Sequence, residues 1–115
     1  MNLIEELRAT LKMEVRGTSR GNDYLEAVIG RNDLELLQPL LTKHFGSAAK
    51  EAGKQAALPV EIQRMVDSMG GLRIEQAFFY KQVDGRQVLY TALWPWESNP
   101  EKITLKTGVG FLAPC

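Results

Sequence analysis

The chain has little from which to build redox or metal chemistry: one cysteine, Cys115, and one histidine, His44, in 115 residues. A lone cysteine forms no intramolecular disulfide, and no His-x-x-x-His or Cys-x-x-Cys spacing is present to hold a metal ion. Charge of one sign is also missing. Lys and Arg total 14 and Asp and Glu total 14, so no global field draws in a polyanion, which argues against general nucleic-acid binding. No apolar run approaches membrane-spanning length, and the opening Met1-Asn-Leu-Ile-Glu-Glu lacks the basic segment and apolar core of a secretion signal. A cytoplasmic protein with no membrane partner is the expectation.

A phosphate loop is excluded by spacing. Gly46 and the Gly53-Lys54 pair are separated by six residues, and Gln55 follows the lysine. A P-loop needs four residues between its glycines and a Ser or Thr after the lysine. No cofactor, no metal and no catalytic group is nominated. His44 beside a helix C-terminus has an ordinary role against the macrodipole. Asp23, Glu26, Asp33 and Glu35 bracket the first strand, but Asp33 and Glu35 suit a helix N-terminus better than acid–base work.

What is present is a composition of 44% hydrophobic and 24% charged residues, that of a single globular domain over residues 1–115, long enough to bury roughly two-thirds of its unfolded surface. Asn2 and Glu5 open a first helix carrying Ile4, Leu7, Leu11 and Val15, ending at Gly17. Residues 24–29 read as a strand that joins the later ones. Asn32 and Glu35 repeat the capping spacing before Leu36, Leu37, Leu40, Leu41 and Phe45, and Gly46 ends that helix. Pro39 either kinks this helix or starts a shorter one, and the kinked helix is favoured. Residues 47–58 are rich in Ala, Gly and Lys and read as a mobile connector. Pro59 begins a third helix with Ile62, Met65, Val66 and Met69, closed by Gly70-Gly71.

The last third carries three strands. Asp84-Gly85 reads as a two-residue turn with positive φ at both positions, which sets Tyr80 opposite Leu89 and Phe79 opposite Tyr90. Ile74, Phe78, Tyr80, Leu89 and Leu93 then share one face. Ala77, Phe79, Val88, Tyr90, Ala92 and Trp94 share the other, with Lys81. In the final run Ile103, Leu105, Val109 and Phe111 point one way, while Thr104, Lys106, Gly108 and Gly110 point toward solvent. The fold class is therefore α+β. About three helices pack on an antiparallel sheet of about four strands, one N-terminal and a C-terminal three-stranded meander.

Neither face of the 77–94 hairpin is polar, so helices must cover one and something else the other. Trp94-Pro95-Trp96 adds two large rings at the strand end, where tryptophan favours interaction surfaces. The sequence thus points to a noncatalytic interaction module, binding a protein partner or its own copy through Phe79, Tyr90 and Trp94, with Trp96 and Lys81 beside them. The alternative is a small enzyme or metabolite-binding protein with a pocket between helices and sheet. A small anionic ligand has one further candidate contact, the basic stretch of Lys43, His44, Lys50 and Lys54.

Overall fold

The computed structural model describes residues 3–11, 13–17, 19, 24–46, 48–51, 53–55, 57–68, 71–96, 98–99 and 101–112. Asn2, Asp23, Met69, Gly70 and Cys115, named above, lie outside them, as do Ser47, Ala52 and Ala56 of the connector. The element order is α1 (Leu3–Thr10), β1 (Glu14–Val15), β2 (Tyr24–Gly30), a 3-10 turn (Arg31–Asp33), α2 (Leu34–Phe45), α3 (Val60–Ser68), β3 (Ala77–Gln82), β4 (Gln87–Pro95) and β5 (Lys102–Phe111). The five strands form one antiparallel sheet in the order β1-β2-β5-β4-β3. The fold is α+β as expected, with one strand more than the four anticipated.

The extra strand comes from the expected first helix. Leu3, Ile4, Leu7 and Leu11 keep helical spacing and are all buried, but the helix stops at Thr10, and Glu14–Val15 pairs with Val28 and Ala27 instead. Val15 is exposed, so the apolar stripe ends at Leu11. In α2 the helix runs through Pro39 unbroken from Leu34 to Phe45. Asn32 does not cap it. The Asp33 carboxylate accepts the Gly30 N–H at 3.1 Å, and this closes the preceding 3-10 turn. Gly46, at φ 76°, ends α2 in the left-handed region where a side chain would be strained.

The hairpin differs from the expected two-residue turn by one position. The Asp84 carboxylate accepts the N–H groups of Arg86 and Gln87, each at 3.2 Å, while Val83 donates to Gln87 O at 2.9 Å. The loop is thus longer, and among the described residues positive φ occurs at Gly46, Gly53 and Gly71, not at Gly85. Tyr80 consequently faces Tyr90 and Phe79 faces Thr91. A slip of one residue exchanges the faces of one strand relative to its partner. Phe79 and Tyr90, expected side by side, lie on opposite sides of the sheet.

Both sides are covered by helices. On one, α1 and α2 bury Leu25, Ala27, Ile29, Phe79, Leu93, Ile103 and Leu105. On the other, Ile62, Met65 and Val66 of α3 pack on Phe78, Val88, Tyr90 and Ala92. Gly110 lets α3 approach β5 closely, since a Cβ there would stand 2.6 Å from the Met65 sulfur. The molecule is a three-layer sandwich, and the question of what covers the second apolar face is answered by α3.

The connector into α3 is anchored by its backbone. Lys50 forms an antiparallel bridge with Phe78 at the outer edge of β3. Its ammonium is buried and donates to the carbonyls of Ile74 at 2.9 Å, Gln76 at 2.5 Å and Glu51 at 3.2 Å. Burial pushes this ammonium below its ordinary value, with Glu75 opposing.

Candidate functional site

The ladder register lays out the α3 side of the sheet in rows. One row reads Tyr80, Tyr90, Gly108 and Tyr24 across β3, β4, β5 and β2, and the next reads Phe78, Ala92, Lys106 and Glu26. Each row places a small residue, Gly108 or Ala92, between large ones. The sheet is therefore hollow at its centre on this side, and α3, which packs over the β3–β4 half, roofs the hollow without filling it. The result is a cavity of about 330 Å³.

Its walls come from every layer around it. Phe78, Tyr90, Ala92 and Trp94 are supplied by the hairpin strands, Tyr24 and Lys106 by β2 and β5, and Val66 by α3. Gly71 and Leu72 enter from the segment after α3. Gly71, at φ 79°, takes a backbone conformation that a side chain would resist, and its N–H bonds Val66 O at 2.9 Å to turn the chain off the helix. Phe78 and Tyr90 stack at 19° with centroids 6.3 Å apart, and both rings are buried, touching the cavity only at its base.

The charged part of the wall is Lys106. Its ammonium lies 3.8 Å from the centroid of the Trp94 ring and 3.6 Å from Glu26 Oε1. The Tyr24 hydroxyl donates to the same Glu26 oxygen at 2.9 Å. The indole N–H of Trp94 is buried and has no acceptor among the described residues, an arrangement that costs about 1–3 kcal/mol.

The five residues expected to form one interaction surface are divided between the two faces. Phe79, 5% exposed, is core beneath α2, with its ring 6.0 Å from that of Phe45. Lys81 is exposed on that same side of the sheet. Tyr90, 8% exposed, and Trp94 belong to the cavity on the other. Trp96 follows Trp94 on the α3 side, donating from Nε1 to Thr104 Oγ1 at 2.8 Å with Lys102 over its ring at 5.2 Å. Lys106 and Glu26 were not nominated together, because the alternation in β5 assigned Lys106 to solvent. The signal that finds them is the register across three strands.

The basic stretch is committed internally. Lys43 Nζ lies 2.6 Å from Glu6 Oε1, His44 Nε2 meets Glu6 Oε2, and Lys54 pairs with Glu51 at 2.7 Å. Lys43 and His44 thus tie α2 to α1 through Glu6, Lys50 is held by carbonyls, and the exposed Lys54–Glu51 pair stays within the connector. Among the described residues no cluster of His, Cys, Asp and Glu is arranged to hold a metal ion, and no described helix is long and apolar enough to cross a membrane. No family model, curated protein or solved structure matches the chain, so its chemistry is read from the cavity.

Proposed function

We propose that the protein is a noncatalytic binding domain whose ligand is a small molecule held between α3 and the sheet. The observation that carries this is the cavity of about 330 Å³ with Tyr24, Trp94 and Lys106 in its wall. Its volume and mixture of aromatic walls with a few polar groups are those of small-ligand sites. The wall offers shape, apolar contact and donors, which is an inventory for holding a molecule. Association with a protein or a second copy would compete with α3 for Tyr90, since Ile62, Met65 and Val66 pack on that side, whereas Trp94 is half-buried.

Ala92→Leu tests the proposal. Ala92 is 5% exposed and lines the hollow, so the larger side chain grows into empty space and raises stability by about 0.5–2 kcal/mol, as cavity filling does. Ring-sized fragments detected by ligand-observed NMR on the parent are expected to lose binding in this variant. If the variant is instead destabilised by the overpacking cost of about 1–3 kcal/mol, the cavity does not exist in solution. Fragments that bind parent and variant equally place the ligand elsewhere.

A further inference from the structure

We propose that residues 48–51 act as an edge guard, holding the outer edge of β3 shut against antiparallel pairing with β3 of a second copy of the chain. β3 ends the sheet and has β4 as its one strand neighbour. Along such a strand alternate residues turn their N–H and C=O outward. Phe78 is one of these. Its N–H donates to Lys50 O at 2.9 Å, and its carbonyl accepts from Ala49 N at 2.9 Å and from Lys50 N at 3.1 Å. By the same alternation Tyr80 and Gln82 turn their groups outward, with no main-chain partner on that side among the described residues. The guard therefore closes one end of an edge whose other end is open.

The guard is anchored on both sides of the sheet. Ala48 packs against the α1–α2 core and Ala49 against the α3 core, so the segment straddles the edge. The Lys50 ammonium holds the carbonyls of Ile74, Gln76 and Glu51, and the Gly53 N–H donates to Ile74 O at 2.6 Å. What it guards against is set by β3 itself. Ala77-Phe-Phe-Tyr80 is apolar and β-prone, the composition of an edge that pairs with other chains. With 14 basic and 14 acidic residues the chain has no net charge to keep copies apart. A two-fold axis at Tyr80 would pair Tyr80 with its own copy and Phe78 with Gln82, using every outward group from 78 to 82. Lys50 blocks that register by occupying Phe78. The register left open, Tyr80 with Gln82, centres the axis on the exposed Lys81 and sets two ammonium groups directly opposite each other, a destabilising like-charge pair. The guard and Lys81 thus exclude one register each.

Sedimentation velocity of the parent, Lys50→Met and Lys81→Thr tests this. The parent should be a monomer. Lys50→Met, which frees Phe78, should form a defined dimer with an association constant about tenfold or more above the parent's, the margin of one net hydrogen bond. Gln82→Pro in that background should weaken the dimer, because proline removes an outward donor that the ladder to β4 does not use. Lys81→Thr leaves the guard in place and lifts the like-charge repulsion, so it too should associate more tightly than the parent. Amide exchange in the parent should be slow at Phe78 and fast at Tyr80 and Gln82. A parent that is already dimeric, or protected at all three amides, overturns the guard by showing the edge in use. A folded Lys50→Met that stays monomeric overturns it, and where that variant does not fold a monomeric Lys81→Thr does the same. A Lys50→Met dimer indifferent to Gln82→Pro places the interface elsewhere and overturns it as well.

Discussion

Thr91 and Thr107 are fully buried on the α1–α2 side of the sheet, where a hydroxyl survives only if it is bonded. Thr91 Oγ1 donates to Thr107 Oγ1 at 2.9 Å, and Thr107 Oγ1 donates onward to Tyr90 O at 2.7 Å. The chain has a direction, and the two valine substitutions should therefore differ. Thr107→Val strands the Thr91 hydroxyl and should cost about 1–3 kcal/mol, while Thr91→Val leaves Thr107 bonded to Tyr90 and should cost under about 1 kcal/mol. Chemical denaturation of both variants checks the order, and equal losses would contradict the directed chain. Glu6 makes a second residue-scale prediction. Its hydrogen bonds from Lys43 and His44 hold its carboxyl below the ordinary 4.5. A lowered folded value means stability that is present above 4.5 and lost as pH falls from there through the folded value. Glu6→Gln should lower the melting temperature near neutrality, and the gap from the parent should close in acid. A gap that stays constant with pH would show that the Glu6 carboxylate does not clamp α1 to α2. Nothing in the sequence pairs Glu6 with residues 43 and 44, because the contact crosses two helices with no motif of its own.

At the scale of elements, regular periodicity was the readable signal and side-chain-to-backbone bonding was not. The stripes of Ile4-Leu7-Leu11, Leu37-Leu41 and Ile62-Met65-Val66 are visible as helical spacing and are buried, whereas Val15 and Leu36, counted in the same stripes, are exposed and Leu40 and Phe45 half-buried. The strand expected over 24–29 from its β-prone residues runs to Gly30, and the three later strands are visible as alternation. The hairpin register was missed by one residue because the Asp84 carboxylate bonds two backbone N–H groups and lengthens the loop, a choice that an Asp-Gly pair does not announce. The connector was read as mobile for want of large apolar residues, and the contact that holds Lys50 within it is polar. Lys50→Met tests that anchor. Losing the ammonium leaves three carbonyl partners without their donor, and the expected cost is about 1–3 kcal/mol, with faster amide exchange at Ala49 and Phe78, whose backbone groups make the bridge. A variant that melts and exchanges like its parent would show that Lys50 does not pin the connector.

For the whole molecule, the decisive feature is that both sheet faces are roofed but one roof is incomplete. A hairpin with two apolar faces implied two covers, and that much followed from alternation alone. Which aromatics share a face did not, since one step of register moves Phe79 under α2 and leaves Tyr90 and Trp94 around the hollow. The candidate site was accordingly half legible: Tyr90 and Trp94 were singled out with Ala92 on their face, while Lys106, Glu26 and Tyr24 appear only when β2, β5 and β4 are laid side by side. The most direct test of a ligand cavity between α3 and the sheet is an amide-resolved NMR titration with the ring-sized fragments. Saturating shifts are expected at Tyr24, Leu72, Tyr90, Trp94 and Lys106, with Leu7, Leu41 and Phe45 on the opposite face unmoved. Absence of saturable shifts, or shifts centred on α1 and α2, would contradict it.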